Sequence, residues 1–178
     1  MRIIGGEKKG QTLRLLSHRA RPTQERVRGA IFNILQHRIK DASVLDLFSG
    51  SGALGLEALS RGARHVTFVD YDVRSLKSNL EKLGATNASI LRGDVFRRIR
   101  KLPEGTFDII FLDPPYNLDM VNEAVISIVD LLSKSGIIAV EHHKKEALVI
   151  PSGFFLLNEK RYGDTRVSLL SRRETMAS

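Results

Sequence analysis

The sequence predicts an α/β fold on a mostly parallel, seven-stranded sheet that ends in an antiparallel hairpin. Three observations carry this expectation. From residue 44 onward, short apolar runs alternate with helical stretches, the pattern of βαβ units. The first run leads directly into the glycine-rich "FSGSGALG", residues 48–55, a strand-to-helix turn. Near the C-terminal end "GFFLLNEKRY" and "TRVSLLS" are separated only by Gly163-Asp164. They must pair antiparallel, because a parallel neighbour needs a crossover of roughly a dozen residues or more.

The elements follow in order. Residues 2–5, "RIIG", and 11–16, "QTLRLL", flank the polar turn "GEKKG" and read as a small hairpin. After the loop "SHRARP" comes a helix capped by Thr23, with Val27, Ala30, Ile31, Ile34 and Leu35 forming one apolar stripe and Arg26 and Arg28 lying off most of it. Strands are expected at 44–48, 65–70, 88–91, 107–112 and 136–141, and helices near 53–61, 73–84, 94–101 and 119–133. Their crossovers should be right-handed. The chain thus divides into a basic hairpin-and-helix extension, residues 1–40, and an α/β domain, residues 41–178, that closes on the tail "RRETMAS".

Composition narrows the classes. At 178 residues the chain has the size of one domain, and without cysteine it offers neither disulfides nor thiolate metal ligands. Its apolar runs fall short of the roughly 20 residues a membrane span requires, and the Met1 end carries no signal or transit pattern, so a cytoplasmic protein is expected. The net charge is +8, of which residues 1–43 hold +7 and residues 44–178 only +1. Such segregation favours a nucleic-acid partner over a merely solvated face.

Ligands of a parallel sheet sit at the carboxyl ends of its strands, which makes the loop after 44–48 a binding loop. Gly50 and Gly52 allow close backbone approach, and the helix behind them offers free N–H groups. Gly50, Gly52 and Gly55, with Asp70 twenty residues beyond Gly50, also match a dinucleotide fingerprint, which keeps an NAD-dependent oxidoreductase open. Asp46 weighs against it. A carboxylate just before the loop repels a pyrophosphate but suits an ammonium or sulfonium cation; its other reading is a cap for its own loop. Asp70 suits the ribose diol of either cofactor. Asp94, in "RGDV", is placed to accept from an adenine amino group and equally to cap the next helix.

"FDIIFLDPPY", residues 107–116, is the most specific motif. A buried strand delivers Asp113 at its carboxyl end, Pro114 and Pro115 fix a rigid turn, and Tyr116 adds a flat ring. The lone pair of an exocyclic base amine is delocalised into its ring. Acceptors at the Asp113 carboxylate and the Pro114 carbonyl hold both amino protons and favour a pyramidal nitrogen aimed at a methyl group. A base presented this way leaves its stack at a cost of a few kcal/mol, and stacking on Tyr116 returns about 1–3 kcal/mol.

Smaller features carry less. Arg92, Arg97, Arg98, Arg100 and Lys101 form a second basic cluster that reads as a solvated helix face or an RNA contact. His142 and His143, adjacent on a strand, point to opposite faces and lack a third ligand, so no metal is expected. Ser49 and Ser51 have no suitably placed histidine for hydrolase chemistry.

A mostly parallel sheet finished by an antiparallel hairpin resembles the Rossmann-like class I methyltransferase fold, in which the last strand inserts beside the fifth. The set "DLFSGSG", "VTFVD", "GDV" and "DPPY" resembles the amino-methylating S-adenosylmethionine-dependent methyltransferases, which include DNA adenine and RNA guanine enzymes. "MRIIGGEKKG" followed by "RPTQERVRGAIFNIL" narrows the resemblance to the bacterial small-subunit (16S) ribosomal RNA guanine-N2 methyltransferases, over Met1 to about Ser171. It implies S-adenosyl-L-methionine as cofactor, held by Asp46, Phe48, Ser49, Gly50, Ser51, Gly52, Asp70, Tyr71, Asp94 and Val95. Asp113, Pro114, Pro115 and Tyr116 would then handle the guanine amine, with Arg21, Thr23, Arg26 and Asn33 on the RNA side. Gly29 departs from the family, which usually carries an acid there. The implied partner is ribosomal RNA or the assembled small subunit, met by a monomer without metal or membrane. Adenine-N6 methylation remains open on "DPPY" alone, and a non-catalytic RNA-binding assembly factor is the third alternative.

Overall fold

The computed structural model describes residues 1–15, 22–115 and 120–173, with residues 22–24 described by their backbone alone. In chain order the elements are helix α1 (Pro22–Leu35), strand β1 (Ser43–Leu47), α2 (Ala53–Ser60), β2 (His65–Asp70), α3 (Arg74–Leu83), β3 (Ala88–Arg92), α4 (Val95–Ile99), β4 (Phe107–Leu112), α5 (Met120–Ile128), β5 (Leu132–His143), β6 (Phe154–Tyr162) and β7 (Thr165–Arg172). They build one seven-stranded sheet in the order β3-β2-β1-β4-β5-β7-β6. Strands β1 to β5 run parallel, while β7 lies antiparallel between β5 and β6, as the two-residue turn requires. All five residues of β1 are buried, as expected of a central strand covered on both faces.

Side chains alternate across the sheet, so each strand feeds two cores. On one face Val44, Phe68, Ile109, Phe111 and Ala139 pack with Val27, Ile31, Phe32 and Leu35 of α1, with α2 and α3, and with Ile3 and Leu13. On the other, Leu45, Val69, Ile110 and Val140 pack with Val95 and Ile99 of α4 and Val121, Val125 and Ile128 of α5. Phe32 meets Phe111 at a ring separation of 5.5 Å, which seats α1 on the strand that leads to Asp113.

Several boundaries differ from the sequence reading. The fixed φ of Pro22 suits a first helical position, and α1 begins there, so Thr23 lies inside the first turn instead of capping it. Arg28 is no surface residue; it is buried beside Glu57, 3.7 Å away, itself fully buried and paired with Arg61. β1 ends one residue early because Phe48 turns to a φ of +56°. The helix expected over 119–133 stops at Ile128 and gives way to one 3-10 turn, Val129–Leu131. β5 therefore starts at Leu132, not 136: Leu132 is buried and pairs with Phe107, and the Ser133 hydroxyl donates to Asp108 Oδ1 at 3.1 Å. Residue 119 lies outside the described residues.

The N-terminal segment forms a short hairpin: Arg2 bridges antiparallel to Thr12, Ile3 N–H donates to the Gln11 carbonyl, Gly10 N–H to the Ile3 carbonyl and Leu13 N–H to the Met1 carbonyl. Helices satisfy further groups of this segment. Ile4 N–H donates to Glu57 Oε2 and Lys8 N–H to Ser60 Oγ. Arg14 N–H donates to Asn79 Oδ1 at 2.7 Å, and Asn79 Nδ2 donates back to the Arg14 carbonyl. Leu16 lies outside the described residues.

Candidate active site

The carboxyl ends of the parallel strands carry a row of acids, each set there by strand alternation. Asp46 is paired in register with Phe68 of β2 and Phe111 of β4, and Phe111 is paired with Ala139 of β5. One step of alternation further on, Asp70, Asp113 and Glu141 therefore share the sheet face of Asp46.

Asp46 is 2% exposed and accepts the Gly55 N–H at 2.8 Å, so its capping role is real. Burial pushes its carboxyl up to about 7, with the charge of Asp70 adding to the shift and the Gly55 N–H opposing it. Asp70 Oδ2 accepts the Gly50 N–H at 2.7 Å and Oδ1 the Asp72 N–H at 2.8 Å, which ties the loop after β1 to the end of β2. Asp94 is exposed and caps α4, accepting the Arg97 N–H at 2.9 Å. Val95 behind it is buried, and Tyr71, beside Asp70, is 75% exposed.

The loop itself is held in an uncommon shape. Phe48, Gly50 and Gly52 all have positive φ, and a bulky aromatic in that region is rare enough to mark a constrained site. Phe48 is kept there by an edge-on contact with Phe96 of α4, at 6.4 Å. Asn79, fully buried, donates to the Ser51 carbonyl at 2.9 Å, so one amide grips both this loop and Arg14. A Cβ on Gly50 would meet nothing within 4 Å, and the buried Ser49 Oγ has no hydrogen-bond partner among the described residues. Open space, an unsatisfied hydroxyl and a buried carboxyl that a cation would drive to ionise fit the polar, cationic end of an amino-acid cofactor.

Asp113 follows β4, with Pro114 buried and Pro115 exposed behind it. Its carboxyl is raised well above the usual carboxylate range, first by burial and then by the charges of Glu141 and Asp46. Arg26 and Asn33 are exposed, two turns apart on one side of α1. Tyr116 and Arg21 lie outside the described residues, as does the side chain of Thr23. His142 is fully buried and hydrogen-bonded to Ser168 Oγ, 3.0 Å away, and no metal-binding group occurs among the described residues.

Two members of this constellation escape the sequence reading. Glu141 was findable: it ends an apolar strand by the same rule that picks out Asp113. Asn79 was not, since nothing in a helical "KSNLEKL" shows that the amide meets two distant carbonyls.

A glycine loop after β1, acids after β2 and β3, a DPP turn after β4 and a β7 inserted beside β5 define a class I S-adenosylmethionine-dependent methyltransferase. The family described as "Conserved hypothetical protein 95" matches residues 1–171, and the chain belongs to it. Among its relatives is ribosomal RNA small subunit methyltransferase D of Escherichia coli, 37% identical over 180 residues, 97% of this chain and 90% of that protein. YlbH of Bacillus subtilis is 38% identical over 184 residues, 97% of this chain and all of that protein. The solved structure of yhhF from Escherichia coli superposes with a TM-score of 0.85 at 35% identity, over 97% of this chain and 98% of that one.

Proposed function

We propose that the chain transfers the methyl group of S-adenosyl-L-methionine to the exocyclic N2 amine of a guanine in small-subunit ribosomal RNA. The observation that carries this is the position of Asp113 and Pro114 directly after β4, the strand that pairs with β1, which holds Asp46 and leads into the glycine loop. The names of the relatives support the RNA class.

The cofactor supplies an electrophilic methyl on a sulfonium. Asp46, Phe48, Ser49, Gly50, Ser51 and Gly52 hold its amino-acid end, Asp70 and Tyr71 its ribose, and Asp94 and Val95 its adenine. The Asp113 carboxylate and Pro114 carbonyl accept the two amine protons and aim the nitrogen lone pair, with Pro115 stiffening the turn and Tyr116 stacking on the base. A new N–C bond forms as the S–C bond breaks. The nitrogen then sheds a proton to solvent, a step that follows transfer and needs no strong base. Arg21, Thr23, Arg26 and Asn33 guide the RNA strand, and the extension over residues 1–40 supplies that side of the cleft. A single chain in the cytoplasm, acting on ribosomal RNA or the assembled subunit, fits this scheme.

Mass-spectrometric mapping of small-subunit RNA tests it. N2-methylguanine should appear at one position with the wild-type protein and S-adenosylmethionine. Asp113→Ala should abolish it, a loss of about 100-fold or more in rate, while S-adenosylhomocysteine still binds. N6-methyladenine as the product, or tight NADH binding without S-adenosylhomocysteine binding, would overturn the proposal. Undiminished methylation by Asp113→Ala would remove Asp113 from the mechanism.

A further inference from the structure

The DPP turn explains how an amine is held, but guanine and adenine both present one. What separates them on the same edge is the neighbouring ring nitrogen: guanine carries N1–H beside its N2 amine, whereas adenine carries an unprotonated N1 beside its N6 amine. A reader of guanine therefore needs a second acceptor next to the one that holds the amine.

Glu141 is that acceptor by position. Leu112 of β4 pairs with Val140 of β5; Glu141 is the next residue of β5 and Asp113 the first after β4, so the two stand at neighbouring strand ends on one sheet face. Glu141 is partly buried, at the carboxyl end of β5. Its charge adds to the upward shift of the Asp113 carboxyl, as acids on adjacent strand ends should. Of the other two acids of this face, Asp46 is 2% exposed, too buried to reach a base, and Asp70 ends β2, which β1 separates from β4.

We propose that Glu141 is the specificity-determining residue of the base pocket: its carboxylate accepts the guanine N1–H while Asp113 and the Pro114 carbonyl hold the N2 amine. The inference rests on the guanine reading above. An adenine offered in the same pose would set its N1 lone pair against a carboxylate in a partly dry site, and a pocket built around a hydrogen bond rejects a base that lacks the proton.

The test replaces the methylated guanine of the RNA with 2-aminopurine, which keeps the 2-amino group but has no N1–H, and with 6-thioguanine, which keeps both and alters only O6. Wild-type kcat/KM should fall about 10- to 100-fold for 2-aminopurine, the factor expected for one hydrogen bond to a charged group, and stay within about threefold for 6-thioguanine. Glu141→Gln, nearly isosteric and able to present either an acceptor or a donor, should shrink the 2-aminopurine penalty to about threefold or less. Its affinity for S-adenosylhomocysteine should not change. Equal use of guanine and 2-aminopurine by the wild type, which needs no variant at all, would overturn the assignment, as would an undiminished penalty in Glu141→Gln. A wild-type reaction that yields no N2-methylguanine from the natural RNA would instead bring down the guanine reading, and the inference with it.

Discussion

Cofactor affinity should turn on the protonation of Asp46. Its buried carboxyl is raised to about 7, so near neutrality it is poised between a form that attracts the ammonium of the ligand and one that does not. At pH 6 such a group is about nine-tenths protonated, and a ligand that needs the carboxylate binds about tenfold more weakly than at its plateau; at pH 5 the deficit is about 100-fold. Isothermal titration of S-adenosylhomocysteine between pH 5 and 8, in buffers of contrasting ionisation heat, should show this slope and close to one proton released per complex at pH 6. Asp46→Asn should lose both the slope and most of the affinity.

The unliganded protein has the opposite sign. The folded carboxyl binds its proton more tightly than the unfolded one, so this contribution is complete below about pH 4 and is lost as pH rises to 7, by up to about 4 kcal/mol. Asp46→Asn should flatten that decline in urea-melting experiments. Affinity that is constant from pH 5.5 to 8 in the wild type, or an unchanged slope in Asp46→Asn, would refute the reasoning.

Three further outcomes are expected. Gly52→Ala should cost about 3 kcal/mol in urea melts, since its Cβ would fall 2.5 Å from Leu76 Cδ1 at a φ of +80°, whereas Gly50→Ala, whose Cβ would meet nothing within 4 Å, should cost only about 1 kcal/mol. Asn79→Leu removes three hydrogen bonds and strands their partners, so it should destabilise by about 2–4 kcal/mol and also weaken S-adenosylhomocysteine binding through the Ser51 contact. Arg26→Ala should lower the slope of log affinity for RNA against log salt by about 1 while leaving cofactor binding intact; an unchanged slope would take Arg26 off the RNA side.

The parts of the site that were readable in the sequence are those that the parallel sheet delivers by rule. A strand end places Asp46, Asp70 and Asp113 whatever the rest of the chain does, and the short Gly163-Asp164 turn dictates the antiparallel β6 and β7. What escaped depends on partners distant in sequence. Arg28 lies off most of the apolar stripe of its helix, and only Glu57, buried beside it, shows it to be a core residue. "DLLSKS" prolongs a helical apolar period through Leu131 and Leu132, and only the pairing of Leu132 with Phe107 turns that stretch into strand. Glu141 was hidden in plain view by the two histidines that follow it, of which His142 is a core residue bonded to Ser168.

The row of acids at the strand ends has a consequence for traffic through the cleft. The chain carries a net charge of +8, yet its floor gathers Asp46, Asp70, Asp113 and Glu141. If the chain acts as proposed, this distribution sorts a polyanion: the outer cations draw the RNA in, while a floor of acids offers acceptors to an uncharged base edge and no seat for a phosphate. On the same reading, whichever of these acids is ionised favours a sulfonium over the thioether left after transfer, so each turnover would erase part of the attraction that filled the site.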